Sequence, residues 1–441
     1  MTHSTDRRSF LKLGASAALL PLTGCVSATG PDQRRVAGRV RHACIGVGGM
    51  GDGDMKALAA HPEVDIVALC DVDSAFLDTA GELFPAAVRY TDYRRMFDEF
   101  DAFDSVNVTT PDHMHAPITM RALGAQKHVY CQKPLTRTVS ESRDLQMLAH
   151  DAGVVTQMGI QNHSGTHYAT ALELFRQGHI GKIHEVHVWT DRPKGWWPQG
   201  APRQPGSDPI PETLDWNLWL GVAPERPYKE GQYHPFAWRG WQDFGTGAQG
   251  DMACHLMDPA MWFLRLGDPR TIRSDGPTPN GETYPLWSTV HYEFDANELT
   301  TRGPLLLTWH DGGRKAPHQL LADLEAGEVY DNACLFVGTE GALLVSPYEP
   351  PRLLPEAKFK DVKIEEVAGE NHWFRFIDSV RGETEPNAGF DYSARLTEVA
   401  LLGNLALSFP NETLEWDAAR MRFPKRPEAD ALLRPTYRTG W

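Results

Sequence analysis

Ala43-Cys44-Ile45-Gly46-Val47-Gly48-Gly49-Met50-Gly51 is the stretch that decides the fold. A short apolar run of strand type enters a Gly-x-Gly-x-x-Gly turn, and the residues from there to Ala60 are helical in composition. A glycine turn between a strand and a helix lets the backbone close on a pyrophosphate, whose charge is met by free N–H groups at the helix start. Working outward, a second apolar run from Ile66 to Cys70 ends at Asp71, twenty residues after Gly51. A carboxylate there accepts hydrogen bonds from ribose hydroxyls and repels a 2′-phosphate. No arginine follows in Val72-Asp73-Ser74-Ala75. The expected ligand is therefore NAD rather than NADP, held by Gly46, Gly48, Gly49, Met50, Gly51 and Asp71.

Further apolar runs at Ser105–Thr109, His128–Cys131 and Val154–Met158 alternate with helical stretches. Strands separated by helices of this length predict a doubly wound parallel sheet, here over residues 38–160. Ligands of such sheets bind at the carboxyl ends of the strands. Two loops fall there: Thr109-Thr110-Pro111-Asp112-His113-Met114-His115 and Cys131-Gln132-Lys133-Pro134-Leu135-Thr136. Thr110, Pro111, His115, Gln132 and Lys133 are accordingly assigned to the cofactor. Lys133 is also a candidate catalytic group, because the following proline restricts its backbone and helps to aim it.

The chain has 441 residues, enough for two or three domains, and a net charge of −15 with no Lys/Arg run longer than a pair. That balance argues against nucleic acid or a polybasic membrane surface as partner and favours a small uncharged or polar ligand. Of thirteen Trp, seven lie between 189 and 241: Trp189, Trp196, Trp197, Trp216, Trp219, Trp238 and Trp241. The Pro- and Gly-rich stretch from Pro193 to Pro235 fits neither regular structure, and a loop that long is usually functional. It is assigned to the substrate pocket, with Trp196, Trp197 and Trp238 as candidate stacking faces; core or subunit-contact packing is the alternative for each.

At the amino end, Asp6-Arg7-Arg8-Ser9-Phe10-Leu11-Lys12 precedes a short apolar run to Leu22, a pattern like a twin-arginine export signal. Leu22-Thr23-Gly24-Cys25 resembles a lipoprotein processing box with Cys25 as the lipidated residue. Residues 1–37 thus read as signal and linker of a periplasmic, lipid-anchored protein. Cys44, Cys70 and Cys131 end apolar runs and read as buried hydrophobes rather than a disulfide framework.

With these motifs in place, the chain resembles the glucose-fructose oxidoreductase, inositol dehydrogenase and rhizopine-catabolism (Gfo/Idh/MocA) family. The resemblance rests on the Gly46 to Gly51 fingerprint, the Thr109-Thr110-Pro111 loop, the Lys133-Pro134 pair and Gly245-Thr246-Gly247-Ala248-Gln249-Gly250-Asp251-Met252-Ala253-Cys254-His255-Leu256-Met257-Asp258. It implies Lys133, Asp251 and His255 as the catalytic set. One position departs from the family pattern, since Gln132 stands where Glu is usual.

The resemblance further implies an α+β second domain over 161–390 with an open, largely antiparallel sheet, a homodimer or homotetramer, and a saccharide substrate. Ile183–Trp189, Leu286–Phe294 and Leu305–His310 read as its strands. Residues 391–441 are expected to form a helix and a tail packing back on the domains.

Asp251 and His255 lie four apart and so on one side of a helix. His255 or Lys133 would take a hydroxyl proton as hydride leaves, with Asp251 orienting the substrate. The spacing to Asp258, with His113 or His115, would also suit a metal; hydride transfer needs none, and none is expected. An exported enzyme has no dependable pool of free dinucleotide, so the hydride must return within the cycle. Redox-neutral glycoside cleavage and sugar-to-sugar hydride transfer both satisfy this. Cleavage needs an extra base, for which His163, Tyr233 and His234 are candidates. A catalytically silent sugar-binding lipoprotein is the alternative of a different class.

Overall fold

A computed structural model describes residues 34–441. The export motif and Cys25 lie outside the described residues. From Arg34 the chain is already tied down: Arg34 N donates to Gly153 O (3.0 Å) and Val36 N to Val380 O (3.0 Å). Packing on the first domain thus begins inside the stretch read as linker.

The first domain alternates strand and helix as the apolar runs predict. Its order is β1 (Val40–Ile45), α1 (Met50–Ala59), β2 (Val64–Cys70), α2 (Ser74–Leu83), β3 (Val88–Tyr90), α3 (Tyr93–Glu99), β4 (Ser105–Val108), α4 (Asp112–Gly124), β5 (His128–Gln132), α5 (Val139–Ala152) and β6 (Thr156–Gly159). All six strands are parallel, in the order β3-β2-β1-β4-β5-β6. Chain direction across the sheet reverses between β1 and β4, which opens a crevice at their carboxyl ends. β3 escaped the sequence reading because Val88 and Arg89, on this edge strand, are exposed and give no apolar run.

The second domain contains α6 (Thr166–Arg176), β7 (Ile183–Trp189), α7 (Trp216–Leu220), α8 (Gly247–Leu256), α9 (Asp258–Phe263), β8 (Thr271–Asp275), β9 (Thr289–Phe294), β10 (Leu305–His310), α10 (His318–Asp323), β11 (Ala333–Gly338), β12 (Ala342–Val345) and β13 (Arg352–Leu354). The chain then forms α11 (His372–Arg381), α12 (Phe390–Ala406) and β14 (Thr413–Glu415). The eight-stranded sheet runs β13-β12-β11-β7-β10-β9-β8-β14, and only the β7–β10 pair is parallel. The inward residues of β7, β10 and β9, including Val186, Leu307, Trp309 and Tyr292, join one core with α8, α9 and α12.

Two elements pack across the expected domain bounds. α11 lies within 161–390 yet covers the first sheet: Phe376 and Ile377, with Val380 one turn further on, pack on Val40, Tyr130 and Val155. β14 lies within the tail yet forms the edge of the second sheet, with Leu414 opposite Ile272. α12 packs against α5, α8 and β8, and so joins the two domains. The five described cysteines are free and buried.

Candidate active site

The glycine turn sits where the sheet opens. Gly46 has φ +80°, and a Cβ there would come within 2.3 Å of Thr109 O; a Cβ on Gly51 would come within 2.0 Å of Gly46 O. The turn is therefore closed against β1 and the end of β4 in a way only glycine permits. Asp71 accepts from Val47 N (2.8 Å) and Asp73 N (2.9 Å), fixing the turn to the end of β2. Burial raises the pKa of its carboxyl, against the pull of these hydrogen bonds and of His234. This cradle and the carboxylate behind it fit a dinucleotide with an unsubstituted ribose.

A cavity of about 740 Å³ runs from this turn to α8. It is lined by Gly46, Gly48, Gly49, Met50, Asp71, Thr110, Pro111, His115, Gln132, Lys133, Trp238, Asp251 and His255, so the predicted cofactor and catalytic residues converge, Gly51 apart. Lys133 Nζ donates to Asp251 Oδ1 (2.8 Å) and Asp251 O (3.0 Å). Burial pushes the Asp251 pKa up, but the Lys133 ammonium and the Arg239 guanidinium outweigh it and hold the carboxyl below its usual range. His255, one turn further along α8, is pushed down to about 3 by burial, with Lys133 adding to the effect. Its Nδ1 faces Asn162 Nδ2 at 3.4 Å.

His115 is clamped between Pro134 O (2.7 Å) and Thr110 O (2.8 Å) and joins the two loops. His113 is turned to Phe244 O and Trp219 O, and Asp258 to His163 and Tyr392, so these groups do not converge on His255.

Four predicted substrate residues do not line the cavity. His163 is buried behind it, bonded to Asp258 (2.9 Å) and stacked on Trp262 at 4.0 Å. Tyr233 lies with Trp216, Trp219, Trp241 and Phe244 in an aromatic core of the long loop. Trp197 is buried and donates to Gln199 Oε1 (2.9 Å), while Trp196 is 49% exposed beneath the Arg192 guanidinium. An aromatic-rich loop without regular structure needs its own core, and most of these rings supply it.

The sequence reading missed two charged residues of the cavity. Arg239 pairs with Asp251 (3.4 Å) and lies against the Trp238 and Phe236 rings at 4.3 and 4.2 Å. Asp112, opening α4, accepts from Thr246 Oγ1 (2.7 Å), and burial raises it to about 7. Asp112 stood in the quoted loop; Arg239 carried no motif.

The long loop also reaches the first domain. Ser74 N donates to Thr213 O (2.8 Å), Asp215 N to Val72 O (2.9 Å), and His234 pairs with Asp73 (2.9 Å) beside Asp71.

Residues 40–160 match the family model described as "Oxidoreductase family, NAD-binding Rossmann fold", and residues 194–303 match "Oxidoreductase family, C-terminal alpha/beta domain". The chain is 32% identical over 303 residues to the dTDP-3,4-didehydro-2,6-dideoxy-alpha-D-glucose 3-reductase of Streptomyces antibioticus, covering 67% of this chain and 72% of that one. It is 29% identical over 201 residues to a glycosyl hydrolase family 109 protein of Shewanella pealeana, covering 40% and 44%. Several other curated relatives are likewise matched over less than half of their length, from 36% to 44%. Among solved structures, the WlbA dehydrogenase of Bordetella pertussis in complex with NADH and UDP-GlcNAcA shares the fold, with a TM-score of 0.61 at 17% identity over 86% of this chain and 98% of that one. The molecule has the two domains of an NAD-binding oxidoreductase family. The chain belongs to the Gfo/Idh/MocA family.

Proposed function

We propose that this protein oxidises a secondary hydroxyl of a saccharide and later returns the hydride within the same catalytic cycle. The observation that carries the reading is Lys133 Nζ at 2.8 Å from Asp251 Oδ1, with His255 one helical turn on, in the cavity that also holds the glycine turn. Bound there, the nicotinamide supplies a two-electron acceptor and donor of hydride.

An ammonium has three N–H donors, and Asp251 takes two of those of Lys133. The third is available to a sugar oxygen. Asn162 offers its amide to His255 Nδ1, which leaves the hydrogen of the neutral imidazole on Nε2 and makes it a donor to the same oxygen. Lys133 Nζ is thus placed to receive the hydroxyl proton, and the ammonium that results has two N–H groups on Asp251 and the third on the sugar oxygen. Asp251, kept ionised, orients both.

Of the bases considered for glycoside cleavage, His163 and Tyr233 lie outside the cavity, and His234 is engaged by Asp73. Asp112, inside the cavity and raised to about 7, is suited to take up and release a proton near neutrality. Together with the relative from glycosyl hydrolase family 109, it favours the redox-neutral cleaving cycle over sugar-to-sugar transfer. The long loop bonded across Val72 to Ser74 supports a dinucleotide retained between turnovers. Export through the twin-arginine route and a lipid on Cys25 complete the proposal.

The test is native mass spectrometry of the purified protein, then absorbance in the reduced-nicotinamide band with p-nitrophenyl glycosides and free hexoses. Bound NAD whose reduced band appears on adding one glycoside and fades again as the hydride returns, with free sugar as product, is expected. A folded protein without NAD and indifferent to added NAD would overturn the reading.

A further inference from the structure

Gln132 immediately precedes Lys133, and both ends of its amide are engaged. Its Nε2 donates to both oxygens of Asp54 (2.9 and 3.2 Å), and its Oε1 accepts from Lys133 N (3.2 Å). Asp54 is on α1, the helix that the glycine turn opens, and is fully buried. It accepts also from Thr109 Oγ1 (2.8 Å) at the end of β4 and from Trp373 Nε1 (2.9 Å) of α11. Among the described residues no cation pairs with it.

A buried carboxylate without a counter-ion persists only where the fold supplies its donors. Here three side chains from three other elements do so. Gln132 is the one among them that also touches the backbone of the candidate catalytic lysine. A glutamate at 132 would set a second carboxylate against Asp54 and remove a donor. The amide at 132 and the acid at 54 therefore form a matched pair, which accounts for the departure of Gln132 from the family pattern.

We propose that Asp54 is a positioning residue for Lys133. Acting through Gln132, it sets the lysine's backbone, and because it stands on α1 it joins that setting to the turn that receives the dinucleotide. This rests on the reading of Lys133 given above.

The test is a double-mutant cycle of Asp54→Asn, Gln132→Glu and the combined variant, in the full chain. Asp54→Asn turns amide hydrogens toward those of Gln132, Thr109 and Trp373; Gln132→Glu opposes two acids; the combined variant restores one acid and one amide in reversed order. The readouts are the melting temperature of NAD-free protein, affinity for NAD, and kcat and KM on the sugar giving the largest absorbance change in the panel. Coupling between contacting groups reaches a few kcal/mol, so each single variant is expected to lose about 30-fold in kcat with KM within about 3-fold. The combined variant is expected to recover about 10-fold over either single and to melt higher than both.

Single variants with wild-type kcat, or effects that merely multiply in the combined variant, would overturn the proposal. If Asp54→Asn does not fold, Thr109→Val removes one donor to Asp54 and is expected to lower kcat about 5-fold at unchanged KM; unchanged kcat would overturn the proposal. Lys133→Ala separates the two readings. Full turnover in that variant would sink the lysine assignment even if Asp54 and Gln132 remain coupled in melting. An inactive Lys133→Ala beside a purely multiplicative cycle would sink the positioning role alone.

Discussion

The glycine turn at 46–51 and the aromatic loop at 193–241 face each other across one cavity and are built in opposite ways. The turn works through absent side chains: its backbone closes against Thr109 and Gly46 where a methyl group would collide. The loop works through an excess of them, with Trp216, Trp219, Tyr233, Trp241 and Phe244 filling a core of their own. A backbone cradle can be read one residue at a time, because its geometry is local. A ring's role depends on which neighbours arrive from elsewhere in the chain.

The sharpest way to break this contrast is in the cavity between the two regions, which Lys133 lines. Lys133→Ala is expected to lower turnover by about 10³-fold while NAD stays bound, as activity and native mass spectrometry would show. Loss of NAD instead would place Lys133 in the cradle rather than at the reacting carbon. Next in size, Trp219→Ala should destabilise the protein by about 3–5 kcal/mol in urea denaturation, since the ring is buried against those of Trp216 and Phe244. Gly46→Ala should cost about 2–4 kcal/mol and weaken NAD binding in calorimetry, because both φ and the Thr109 carbonyl oppose a side chain.

A pH series sharpens the same comparison. The Asp112 carboxyl is raised from 3.8 to about 7 in the fold, so folding favours its protonated form. The stability this contributes is present below about pH 4 and is lost as pH rises through about 7. Asp112→Asn is expected to flatten that part of the melting-temperature profile and to raise the melting point at pH 8. The smallest effect belongs to Trp196→Ala, which should stay within about 0.5 kcal/mol and leave KM unchanged, because the ring is half exposed and away from the cavity.

The first sheet was legible because each of its long strands is an apolar run bounded by a helix, a pattern that local composition carries. β7 and β10 of the second sheet fall on the predicted residues, whereas β9 begins at Thr289 rather than Leu286, which is exposed. Lys133, Asp251 and His255 were legible through spacing and family pattern, and their common cavity follows from α8 meeting the β5 loop. His163 misled because a histidine on a turn next to the site reads the same whether it faces the substrate or Asp258. Arg239 was invisible because its meaning comes from Asp251, Trp238 and Phe236 jointly.

α11 leaves one consequence for the order in which the molecule is made. The face of the first sheet formed by Val40, Tyr130 and Val155 is covered by residues near 380, so a fragment ending at 160 would emerge with that face bare and prone to aggregate. Ribosomal synthesis delivers the nucleotide-binding strands long before their cover. Contacts that span more than two hundred residues slow folding, and the amino-terminal half therefore has to wait for nearly the whole polypeptide before it can be finished.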